Sequence, residues 1–109
     1  MPSHEPEYLD GVFAALAHPV RRAILLQCSD GYQSVAELAR PHAMSLNAIS
    51  KHIKTLEAAQ LVRRERDGNF HRIELHPEAL RPALGWLDHH VTLWDCSLKA
   101  LKSKLEGTS

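Results

Sequence analysis

Ser45-Leu-Asn-Ala-Ile-Ser-Lys-His-Ile-Lys-Thr-Leu-Glu-Ala-Ala-Gln-Leu-Val62 runs without a break into Arg63-Arg-Glu-Arg-Asp-Gly-Asn-Phe-His-Arg-Ile-Glu-Leu75. Ser45 supplies an N-cap hydroxyl, and Ile49, Ile53 and Leu56 then recur at helical spacing as one apolar stripe. Asn47, Ser50, Lys51 and Lys54 lie largely off that stripe. The pattern predicts a capped helix with a polar, basic outer face. Leu61 to Arg66 and Phe70 to Leu75 read as strands, and Asp67-Gly68-Asn69 between them is a hairpin turn signal. A helix that enters the DNA major groove with a basic hairpin arm beside it requires these groups in this order.

Upstream, Leu9, Val12, Phe13 and Leu16 form a helical stripe over Tyr8–Ala17. His18-Pro19 breaks it, because the residue before proline avoids the α region. Pro19 can open a second helix, running to about Cys28 and ended by Ser29-Asp30-Gly31. Ser34-Val-Ala-Glu37 has the form of a capping box, and the short helix it starts stops near Arg40 before Pro41. Two short helices with a tight connection, the second polar on its outer face, make a helix-turn-helix over about 34–60. The wing follows at about 61–75.

After Pro77 the chain turns helical again, with Pro82 in the first turn of a long helix over about 82–106. Leu84, Leu87, Val91, Trp94, Leu98, Leu101 and Leu105 alternate at spacings of three and four, a sustained heptad seam. Such a helix is roughly 36 Å long from Pro82 to Leu105. A domain this small cannot readily cover the seam with its own core, so the expectation is self-association. The alternative is a long helix packed only on its own domain.

The 109 residues fit a single domain over 1–109, mainly α with a small β-hairpin. Thirteen basic and thirteen acidic residues give zero formal net charge, so global charge says nothing of nucleic acid. Its distribution does. Residues 51–72 hold six basic side chains against three acidic ones, whereas the first ten hold Glu5, Glu7 and Asp10 and no Lys or Arg. A solvated basic face is the alternative. No apolar run approaches the ~20 residues of a membrane span, and the N-terminus lacks signal-peptide character, so a cytoplasmic location and no membrane partner are expected. Cys28 and Cys96 do not make a disulfide framework, and reduced thiols are expected there. No Gly-rich phosphate loop, nucleophile elbow or complete zinc-hydrolase pattern occurs, so an enzyme is not expected.

The order of elements resembles the winged helix-turn-helix of the ArsR/SmtB family of bacterial repressors. The resemblance rests on Phe13-Ala-Ala-Leu-Ala-His-Pro-Val-Arg-Arg-Ala-Ile-Leu25, Val35-Ala-Glu-Leu-Ala39, Met44-Ser45, Ala48-Ile-Ser-Lys-His-Ile-Lys-Thr-Leu-Glu57, Leu61-Val62 and the hairpin, spanning residues 8–105. It implies a homodimeric repressor of transcription that binds a palindromic operator in double-stranded DNA and is released by an effector. Pro41-His42-Ala43 is an unusual turn for the family. Gln60 stands where the family usually has glycine, at a cost of about 1 kcal/mol if it is left-handed.

On this resemblance Ser45, Asn47, Ser50 and Lys51 read bases or backbone, while Lys54 and Arg22 clamp phosphates. His52 either faces DNA or supports the helix. Leu46, where the family often has a polar residue, either touches a thymine methyl or packs. Arg64, Arg66 and Arg72 line the wing. Leu84, Leu87, Val91, Trp94, Leu98 and Leu101 are the dimerisation residues.

No cofactor is certain. The family's zinc site is half matched by Asp88 and His90, but its second half falls at Leu101 and Lys104, which do not bind zinc. The choice lies between a rearranged divalent-metal site and a plain polar face. The family's redox form places cysteines where Cys28 and Cys96 stand, with Cys28 one or two residues out of step. Buried inert thiols are the alternative. The competing function is a dimeric winged-helix module that binds protein rather than DNA, for which the basic rim has no use.

Overall fold

The computed structural model describes residues 5–107. Helix α1 (Glu5–Leu16) turns Val12 and Ala15 inward, with Tyr8, Leu9, Phe13 and Leu16 half-buried around them. It ends where expected. His18 takes an extended conformation, its Nδ1 accepts from the Val20 amide at 3.1 Å, and Pro19 opens α2 (Pro19–Gln27). The α-helix stops one residue before Cys28, and Cys28–Asp30 forms a single tighter turn closed by Gly31 at φ +133°.

A strand follows that the sequence reading did not anticipate. β1 (Gln33–Ser34) is two residues long, too short for any alternation to register. It pairs antiparallel with β3 (Phe70–Leu75), so the hairpin becomes a three-stranded sheet of order β1-β3-β2. Ser34 then caps α3 (Val35–Ala39) through the expected capping box: its Oγ accepts from Glu37 N, and Glu37 Oε1 accepts from Ser34 N, both at 3.1 Å.

Helix α4 (Leu46–Ala58) begins on the Ser45 hydroxyl, which accepts from Ala48 N at 3.1 Å. Its inner stripe of Ile49, Ile53 and Leu56 is fully buried against α1, α2, α3 and β2 (Val62–Asp67), within a core shared with Ile24, Leu38, Leu61 and Ile73. Burying each such side chain contributes about 1.5–3 kcal/mol, which is what holds α4 in one orientation. The helix closes in a Schellman arrangement. Gln60 N donates to Glu57 O at 2.9 Å, Leu61 N donates to Leu56 O at 3.0 Å, and Gln60 itself has φ +62°. His76 braces this turn, with Nδ1 3.0 Å from Gln60 O and its amide donating to Leu61 O at 2.8 Å.

β2 and β3 pair from Val62↔Leu75 to Asp67↔Phe70, joined by Gly68 at φ +63° and Asn69. A one-turn segment, Pro77–Leu80, leads into α5 (Arg81–Gly107). At 27 residues this helix is roughly 40 Å long, and it helps draw the molecule out to 70 × 35 × 22 Å. Only Ala83 of α5 is buried. The joint to the body is made by Phe13 edge-on to Trp86, with ring centroids 5.8 Å apart, and by Tyr8 Oη donating to Ala79 O at 2.6 Å. No helix among the described residues is long and apolar enough to cross a membrane.

Gln60 is the one non-glycine residue with positive φ among the described residues, in a conformation that crowds Cβ against the backbone. Gln60→Gly is therefore expected to raise unfolding free energy by about 0.5–1 kcal/mol, and the β-branched Gln60→Val to lower it. Urea denaturation checks both. A glycine variant less stable than wild type would contradict the strain.

Candidate nucleic-acid interface

The outer side of α4 follows from the inner one. With Ile49, Ile53 and Leu56 committed to the core, Asn47, Lys51 and Lys54 stand exposed and Ser50 half-buried at the edge. Neither lysine has an ion-pair partner among the described residues, so both charges remain available to an anion. Ser45 is exposed with its oxygen accepting the cap bond, and its hydroxyl hydrogen remains free to donate.

The wing arginines do not act as one group. Arg64 pairs with Glu57 at the end of α4, its two nitrogens 2.8 and 3.2 Å from Oε1, and so ties the hairpin to the helix. It lies opposite Ile73 in the sheet and so points to the core side. Arg66 shares that side and is exposed, its Nε donating to Gly68 O at 3.3 Å. Arg72 is on the other face, over the Tyr32 ring at 4.2 Å and paired with Asp67 at 3.2 Å. Of the three, Arg66 is free of any carboxylate among the described residues.

Arg22 is exposed on α2 and donates to Leu16 O at 2.7 Å, which uses part of its fork on the C-terminus of α1. Its neighbour Arg21 was not assigned a role from the sequence, yet it does more. Arg21 donates to Ala15 O at 2.7 Å and Ala14 O at 3.0 Å, and its Nη1 lies 3.2 Å from His52 Nδ1. One guanidinium thereby joins α1, α2 and α4. His52, half-buried, also meets the His18 ring, with centroids 4.3 Å apart. Desolvation, then the neighbouring charges of His18, Arg21 and His42, hold the His52 pKa below the ordinary 6.5, which keeps Nδ1 an acceptor for Arg21. The unusual turn also has a local reason. His42 Nε2 lies 2.9 Å from Gln27 Oε1, and Gln27 Nε2 donates to Leu38 O at 3.2 Å, pinning the turn to α2. Arg21 with His52 and Gln27 with His42 join residues 31 and 15 positions apart, which leaves no local sequence signal.

The seam residues of α5 are uncovered. Leu84, Leu87, Val91, Trp94, Leu98 and Leu101 are between 41% and 66% exposed. Asp88 is exposed nearby, and His90 stacks on Trp86 at 4.0 Å with Nδ1 2.8 Å from Trp86 O. Among the described residues no three His, Cys, Asp or Glu side chains converge to hold a metal, so an ion at Asp88 and His90 would need ligands from beyond the described residues. Cys28 and Cys96 are both free thiols. Cys28 is buried, and burial pushes its pKa up to about 11, which keeps it protonated and unreactive, while Cys96 is exposed on α5.

Residues 16–65 match the family described as a helix-turn-helix domain. The chain is 38% identical over 83 residues to the HTH-type transcriptional regulator Rv2034 of Mycobacterium tuberculosis, covering 76% of this chain and 78% of that one. It is 27% identical over 90 residues to the transcriptional repressor SdpR of Bacillus subtilis, covering 83% of this chain and all of SdpR. The crystal structure of an ArsR family transcriptional regulator superposes with a TM-score of 0.78 at 38% identity, covering 83% of this chain and 93% of that one.

A histidine whose folded pKa is depressed stabilises the fold fully above its unfolded pKa of about 6.5 and progressively less as pH falls below it. The urea midpoint is expected to drop between pH 7.5 and 5.5 more steeply in the wild type than in His52→Gln, whose amide oxygen still accepts from Arg21. Parallel curves would contradict the assigned role of His52.

Proposed function

The chain belongs to the ArsR family of transcriptional regulators, and on that footing we propose that two copies joined along α5 bind a palindromic DNA operator as a repressor. The observation that carries this reading is the outer face of α4: Asn47, Lys51 and Lys54 stand exposed and unpaired on a helix whose opposite face is locked in the core. Asn47 is suited to pair bidentately with adenine, Ser45 and Ser50 to bond base edges or phosphate, and Lys51 and Lys54 to neutralise phosphates. Arg22 keeps donors beyond its bond to Leu16 O for a further phosphate. On the wing, Arg66 is the arginine best placed to reach DNA. Arg64 and Arg72 would have to share their charges with Glu57 and Asp67.

Dimerisation along Leu84, Leu87, Val91, Trp94, Leu98 and Leu101 would remove an apolar stripe from water and set two α4 helices about 34 Å apart, one turn of B-DNA. Repression is favoured by the likeness to a relative named as a repressor and spanned end to end. An effector would release DNA by favouring a dimer geometry with a different spacing. Such a regulator works in the cytoplasm. The basic rim of α4 has no use in a protein-binding winged helix, which sets that reading second.

The test uses duplexes selected by the purified protein from a random pool. Each phosphate contact removed flattens the dependence of log K on log salt by about 0.9, so Lys51→Ala with Lys54→Ala, lost from both protomers, is expected to flatten it by about 2 to 4. An unchanged slope after Arg64→Ala with Arg66→Ala would take the wing out of the interface. Sedimentation should give twice the 12.2 kDa chain mass, and Val91→Glu with Leu98→Glu should give the monomer. Failure to enrich any duplex would overturn the DNA-binding reading.

A further inference from the structure

The first residue of α4 is an exposed leucine. Leu46 is 56% exposed and Met44, just before the cap, is 36% exposed, and neither belongs to the hydrophobic core. A single exposed leucine is ordinary on a protein surface, so its position has to carry the argument. At 100° per residue, Leu46, Ser50 and Lys54 form one i, i+4, i+8 row, flanked by Asn47 and Lys51. The apolar side chain therefore heads the same row that ends in an unpaired lysine. It also stands at the N-terminal end of the helix, the end that reaches base edges when a helix-turn-helix docks.

Base pairs present donors and acceptors to the major groove, with one apolar exception, the C5-methyl of thymine. Pressed against any other edge, Leu46 would strip water from groups it cannot hydrogen-bond. We propose that Leu46 reads a thymine methyl in each half of the bound duplex and so fixes a base that the polar residues of α4 do not specify. This rests on the DNA-binding reading above and adds to it a base identity and the residue that selects it.

Replacing every thymine by deoxyuracil removes the methyl and leaves the hydrogen-bonding pattern intact. A selected duplex amplified with dUTP in place of dTTP contains no methylated cytosine, so any loss belongs to thymine alone. Wild-type protein is expected to bind the uracil duplex about fourfold more weakly per methyl lost, hence about fifteenfold for a symmetric pair. Leu46→Gln, similar in size and helix propensity and fully accommodated on an exposed position, should bind both duplexes within about twofold of each other while keeping the wild-type melting temperature. Wild type binding both duplexes equally would overturn the proposal, as would a Leu46→Gln variant that keeps the full uracil penalty, since the methyls would then act through DNA shape or another residue. If the thymine duplex is itself unbound, the DNA-binding reading falls, and this proposal falls with it.

Discussion

The outer face of α4 is set by the burial of its other side. Ile49, Ile53 and Leu56 are sealed between three helices and the second strand, at about 2 kcal/mol each, and that commitment decides which residues can meet a partner. Hydrophobic burial alone leaves some freedom to slide. The Arg21 guanidinium removes it by direction: it bonds two carbonyls at the end of α1 and faces the His52 ring on α4. Because it is always charged, it requires an acceptor on each side, and a neutral His52 supplies one. The helix is thus held by area and fixed by geometry.

The same logic extends from α4 to α5. α1 sits between them, bonded to Arg21 at its C-terminal end, to the turn before α5 through Tyr8, and to α5 itself through Phe13 against Trp86. A change in how two α5 helices pack would therefore be passed to α4 through a short, well-packed path rather than across a flexible loop. Under the proposed function, such a path would let the spacing of two α4 helices follow the packing of α5. The exposed seam from Leu84 to Leu101 and the outer face of α4 are the two surfaces that the proposed dimer would use.

Much of this was legible in the sequence. Ser34 and Ser45 as caps, Pro19 as a helix start, the Gly68-Asn69 turn and the seam from Leu84 all express local rules, and the structure places them within a few residues of expectation. Gln60 at positive φ could be anticipated from its place at the end of a helix. What stayed hidden depends on partners distant in sequence. β1 is two residues of pairing with β3, His42 finds Gln27, and Arg21 finds His52. The splitting of Arg64 and Arg72 to opposite faces follows from strand alternation once the register is known, whereas their engagement by Glu57 and by Asp67 and Tyr32 does not. For the effector, neither Asp88 with His90 nor Cys28 with Cys96 forms a closed site among the described residues.

In the proposed complex two chains present two α4 helices to successive major grooves. A hydroxyl-radical footprint on a selected duplex, with the number of bound chains counted by native mass spectrometry, tests it most directly. Two chains per duplex and two protected tracts related by two-fold symmetry, centred about 10–10.5 base pairs apart, are expected. One chain giving a single protected tract would contradict it.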